Sequence, residues 1–138
     1  MKNKSPKTIV NTVKDGFDFE QTIAVAISTA LGVSAVKNDG GEIDSPDVVG
    51  VPGWSVEVKH TSLDATTTAV RTRAWSQAVK QSEKLNTKPV VIYVNNKTGI
   101  RAMFSPFKVE SYDDYSGVFD TDFGVWCTFV KTGHLNAN

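Results

Sequence analysis

The stretch Ser45-Pro46-Asp47-Val48-Val49-Gly50, continued by Gly53-Trp54-Ser55-Val56-Glu57-Val58-Lys59, carries most of the information in this chain. Two short β-prone runs, 47–51 and 54–60, lie either side of Pro52-Gly53 and read as a hairpin. Side chains alternate along a strand, so Glu57 and Lys59 project together while Val56 and Val58 enter an apolar layer behind them. The place of Asp47 depends on the loop. A two-residue connection pairs Val51 with Trp54 and sets Asp47 opposite Val58, on the wrong face. A three-residue connection pairs Gly50 with Trp54 and sets Asp47 opposite Glu57. Pro-Gly favours a type II turn, whose twist suits two-residue hairpins poorly, so the longer loop is expected. Two adjacent carboxylates repel unless something positive lies between them. A hard divalent cation such as Mg²⁺ meets that need with oxygen ligands.

Upstream, Phe19, Ile23, Ala26, Ile27 and Ala30 recur at helical spacing within 17–31, and Gly32 stands where a left-handed terminal residue belongs. A short strand is expected over 33–37 and a loop over 38–46. Downstream, Ala69, Arg73, Ala74, Ala78, Gln81 and Leu85 mark a long amphipathic helix over 67–85, with Thr66 or Thr67 as its cap. The apolar run 89–94 suits a strand covered on both faces, followed by a turn at 95–99 and a partner strand at 100–104. The fold class is therefore α/β with a mixed central sheet flanked by helices. In the tail, a helix is expected over 105–115 and a last strand over 125–130. The division is a basic N-terminal arm at 1–15, a core at 16–104 and a C-terminal extension at 105–138.

With 138 residues, 40% hydrophobic and 22% charged, the chain suits one globular domain. A domain of this size buries roughly 70% of the surface its unfolded chain exposes. Cys127 is the only cysteine, which excludes an internal disulfide and a Cys-type zinc site. The longest uncharged stretch, 21–36, is interrupted by Ser28, Thr29, Gly32 and Ser34 and falls short of a membrane span of about 18 apolar residues. Asp15, Asp18 and Glu20 stand where the basic region of a signal peptide should meet its apolar one, so a cytoplasmic location is expected.

Lysines and arginines balance acids at 15 each, so any nucleic-acid surface must come from local clustering. Residues 66–88 hold Arg71, Arg73, Lys80, Lys84 and Lys88 against Glu83, a local charge of +4. A solvated helix face accounts for this, and so does DNA binding, in which neutralised phosphates release counterions. Residues 105–123 carry −4 and are expected to face away from DNA. His60 and His134 have no partner at metal-ligand spacing, and Glu42 and Asp44 read as solvated loop charges. Trp54, Trp75 and Trp126 read as core or interface residues. Glu20 borders the buried helix stripe, and its residues alone leave two readings: a flank carboxylate favoured by the helix dipole, or a site residue.

The set Glu20, Pro46-Asp47 and Glu57-Val58-Lys59 resembles the PD-(D/E)XK nuclease superfamily, whose αβββαβ order matches the elements above. More narrowly, Gly16-Phe17-Asp18-Phe19-Glu20, Asp47-Val48-Val49-Gly50, Gly53 to Lys59 and a later Gln-bearing helix resemble the small Holliday junction resolvase-like proteins of phages. The resemblance covers about residues 16–104. It implies a restriction endonuclease-like fold and a metal-dependent endonuclease that hydrolyses phosphodiesters in branched DNA during recombination. Metal ligands would be Glu20, Asp47, Glu57 and the Val58 carbonyl, holding Mg²⁺, with Mn²⁺ as the alternative ion. Lys59 would orient water or stabilise the transition state, and Gln77, with Gln81 as its competitor one turn on, would help position the reacting groups. Arg71, Arg73, Lys80 and Lys84 would contact DNA. A near-twofold junction implies a homodimer, for which Trp75 and the exposed side of the first helix are candidate faces. Another DNA-processing or restriction-type nuclease would keep the same residues. A non-catalytic DNA-binding protein on this fold would be expected to have lost an acid or the lysine.

Overall fold

Asp18 opens the first helix: its carboxylate accepts from the Gln21 backbone N–H, and Gly32 closes the helix in the left-handed conformation, φ 70°. This helix, α1 (Phe19–Leu31), buries Phe19, Ile23, Ala24 and Ile27. The computed structural model describes residues 18–39, 45–60, 68–95, 97–107, 109, 111, 113 and 115–136. The basic arm 1–15, Glu42, Asp44, the cap candidates Thr66 and Thr67 and the side chain of His134 lie outside the described residues.

After α1 come β1 (Val36–Lys37), β2 (Val48–Val49), β3 (Trp54–Lys59), α2 (Thr68–Leu85), β4 (Lys88–Asn95), β5 (Gly99–Phe104), β6 (Phe119–Asp122) and α3 (Phe123–Asn136). The six strands form one sheet in chain order. Its pairs are antiparallel except β3 with β4, and a parallel pair needs a crossover, which α2 provides. The protein is thus a mixed α/β domain with helices on both faces. One face joins Val48, Val56, Val58, Val90, Ile92, Ala102 and Phe104 to α1 and to Trp126 and Cys127 of α3. The other is covered by Ala74, Trp75, Ala78 and Val79 of α2 on Val91, Tyr93 and Met103. No described helix is long and apolar enough to cross a membrane.

Val48 pairs with Val56, as the three-residue connection requires, and the Trp54 N–H closes a turn onto the Val51 carbonyl at 3.1 Å with Pro52-Gly53 at its centre. Gly53 has φ 83°, as a type II turn demands. Gly50 is constrained differently: a Cβ there would lie 2.3 Å from the Ser34 carbonyl oxygen.

The tail departs from expectation. Described residues within 105–115 are not helical: the Ser105 hydroxyl accepts from the Phe107 N–H, a local turn that competes with helix. Residues 125–130 belong to α3 instead of a last strand. Their β-branched and aromatic content suggested a strand, but Phe123, Trp126, Cys127 and Val130 repeat at helical spacing and meet the core, while Asp122 accepts from the Gly124 N–H at the helix start. The last strand is β6, just upstream. Trp75 is fully buried, so it serves the core and not a dimer face.

Candidate active site

β3 alternates as the pattern demands, yet Glu57, on the α2 face, is only 2% exposed. Burying a carboxylate requires compensation, and two groups supply it. Lys59 Nζ lies 3.2 Å from Glu57 Oε2, and Gln81 Nε2 donates to Glu57 Oε1 at 3.1 Å. They do not fully compensate. Burial, reinforced by the Asp47 charge, pushes the Glu57 carboxyl up to about 7, against the pull of Lys59 and Gln81.

Asp47 reaches this neighbourhood through an irregularity. Val48 is the register partner of Val56, but the Asp47 N–H also donates to the Val56 carbonyl, at 2.9 Å. Two successive residues of one strand therefore face one of the other, which is the arrangement of a β-bulge; bulges re-aim side chains. The Asp47 carboxylate turns onto the β3 edge, where Oδ2 accepts from the Val58 N–H at 2.8 Å. Within a strand residue the N–H and C=O point to the same side, so the Val58 carbonyl lies along that edge too.

Glu20 approaches from the other side. It sits in the first turn of α1, which packs on the Val56 and Val58 face, whereas Glu57 projects from the α2 face. Asp47 stands at the edge between them, and its charge acts on both. Burial, then Asp47, raises the Glu20 carboxyl, and Lys37 opposes the shift. Among the described residues no three His, Cys, Asp or Glu side chains converge into one ligand set. Asp47 is near enough for its charge to act on both Glu57 and Glu20. That donor set fits a hard divalent ion, which typically takes one or two carboxylates and completes its shell with waters and phosphate oxygens. Gln81 Oε1, buried with no hydrogen-bond partner among the described residues, leaves one more acceptor in the site.

The α2 residue that meets Glu57 is thus Gln81, not Gln77. The two share a helix face one turn apart, and the packing of α2 along β3 and β4 selects the later turn. His60 packs its ring 4.9 Å from that of Phe19, on the α1 side, as strand alternation from Lys59 requires. On α2, Arg73, Gln77, Lys80 and Lys84 fall at i, i+4, i+7 and i+11, so they form one stripe, and its three cations are exposed. Arg71 lies off it, half-buried, its charge acting on Tyr93 at the core. Sequence reading missed Lys37 and Asn38, which lie in or beside β1 and contact the segments carrying Glu20 and Asp47. Asn38 fell within a stretch rich in loop-forming residues, where no periodicity could single it out.

No protein-family model matches the chain, and no curated protein matches it.

Proposed function

We propose that the protein is a divalent-metal-dependent, structure-specific endonuclease that hydrolyses phosphodiesters in branched DNA, a Holliday junction resolvase of PD-(D/E)XK type. The observation that carries this reading is the buried Glu57 carboxylate, flanked by Lys59 at 3.2 Å and by Asp47 on the adjoining strand edge. A stability role alone accounts poorly for a carboxylate kept dry beside a second one.

Asp47, Glu57 and the Val58 carbonyl would hold Mg²⁺ or Mn²⁺, with Glu20 adding negative charge beyond Asp47. Such an ion, when bound, lowers the pKa of its water and offsets charge on the phosphate. Lys59 supplies a compact positive charge on the Glu57 face, suited to orienting a water or a phosphate oxygen. Gln81 fixes the Glu57 carboxylate, and the Val58 N–H fixes that of Asp47. Arg73, Lys80 and Lys84 give α2 an exposed cationic line for backbone phosphates, which position DNA without reading its sequence. Two matched nicks in a near-symmetric junction call for a C2 homodimer.

The test compares four-way junction, fork and linear duplex in Mg²⁺ and in Ca²⁺. Junction cleavage in Mg²⁺, lost in Glu57→Ala and Lys59→Ala by about 100-fold or more, is the expected result. Wild-type cleavage by either variant refutes these roles. Equal cutting of linear duplex favours a restriction-type or other DNA-processing nuclease, and binding without cleavage in any ion favours a non-catalytic DNA-binding protein.

A further inference from the structure

Asp47 lies in a bulge, where no regular ladder fixes the chain, so something else must hold it. Asn38, half-buried just after β1, does so with three hydrogen bonds. Its backbone N–H donates to the Asp47 carbonyl at 2.9 Å, and its Nδ2 donates to the Pro46 carbonyl at 2.8 Å and to Ser45 Oγ at 3.1 Å. One amide nitrogen carries two hydrogens, enough for both. On the opposite side, Asp47 gives its N–H to Val56 and receives the Val58 N–H on its carboxylate. Both backbone groups and one carboxylate oxygen of Asp47 are thereby engaged. Among the described residues no hydrogen bond to the other carboxylate oxygen is seen.

The preceding residue makes a related tie. Lys37 pairs with Asp18, the N-cap of the helix whose first turn carries Glu20, and it also lies 3.5 Å from Asp39. The edge segment 37–38 therefore touches both the helix start that carries Glu20 and the bulge that carries Asp47.

We infer that Asn38 is a positioning residue for Asp47: its side-chain amide locks the corner 45–47 so that the Asp47 carboxylate stays on the β3 edge beside Glu57. This rests on the metal-dependent reading above. Outer partners of a metal ligand typically contribute 10–100-fold in metal affinity, by orienting a group they do not replace.

Asn38→Ala removes the two side-chain bonds and leaves the backbone bond. Asn38→Asp keeps the shape, removes the donor and adds a negative charge near the site. Mn²⁺ titration calorimetry on the full chain, with DNA affinity measured in metal-free buffer, separates the possibilities. Both variants should bind Mn²⁺ about 10–100-fold more weakly while keeping wild-type metal-free affinity for a four-way junction. Unchanged Mn²⁺ affinity in Asn38→Ala overturns the inference. Tighter binding by Asn38→Asp does so too, since charge and not positioning would then govern the site. Loss of metal and DNA affinity together would mean general loosening, and likewise overturns it. A wild-type protein that binds no Mn²⁺ removes the metal-dependent reading itself, before any variant is compared.

Discussion

The two faces of β3 differ in chemistry. Toward α1 and α3 it presents Val56 and Val58 to a layer closed by Trp126, Ile23 and Ile27, and no charged group is buried there among the described residues. Toward α2 the same strand presents Ser55, Glu57 and Lys59, and the helix answers with the buried Gln81. Strand alternation allows one six-residue element to present an apolar surface on one side and a polar, charge-bearing one on the other. The first face gains from burial. The second keeps an acid whose charge its surroundings only partly accommodate.

If this division holds, damage to the two faces should separate cleanly. Trp126→Ala, on the apolar face, should cost about 3–5 kcal/mol of stability in chemical denaturation, yet leave Mn²⁺ affinity unchanged under conditions where the variant is folded. A loss of metal affinity from that change would break the comparison.

Glu57→Gln should act in the opposite sense on stability. The folded-state carboxyl is raised from 4.5 to about 7, so the folded protein holds a proton that the unfolded chain releases. The metal-free protein therefore loses stability as pH rises from about 4.5 to 7, and the loss levels off above that, on the order of a few kcal/mol. Melting temperatures between pH 5 and pH 8 should fall in the wild type and fall distinctly less in Glu57→Gln. Metal affinity should rise over the same interval in the wild type, because ion and proton compete for one carboxylate.

Gln81→Ala should reduce cleavage about 10-fold and shift its pH dependence upward, since Glu57 loses a donor that favours its charged form. Gln77→Ala should change neither. Equal effects at the two positions would erase the distinction between the turns of α2.

The smallest effects belong to the exposed stripe. Neutralising Arg73, Lys80 or Lys84 singly should lower the salt dependence of DNA binding by about one counterion each, with stability within about 0.5 kcal/mol of wild type. Arg71, half-buried off the stripe, should not follow this pattern.

Much of this was legible beforehand because it is local. Asp18 and Gly32 bracket α1 through capping chemistry, Pro52-Gly53 selects its turn, and the Glu57–Lys59 spacing places both on one face. The tail was misread because β-propensity is weak evidence for a segment whose partners lie far off in the chain. The run 125–130 contains strand-prone residues, but the space left beside α1 accepts a helix bearing Trp126 and Cys127.

Periodicity, caps and turn residues thus determined from the chain alone the helix–strand order through β5 and the shared face of Glu57 and Lys59, since each acts over a few neighbouring bonds. The three-dimensional structure decided that Asp47 lies in a bulge clasped by Asn38, that Gln81 and not Gln77 meets Glu57, and that Glu20 arrives from the reverse face. These facts depend on how separate segments slide and stack against one another, and no short-range rule encodes that.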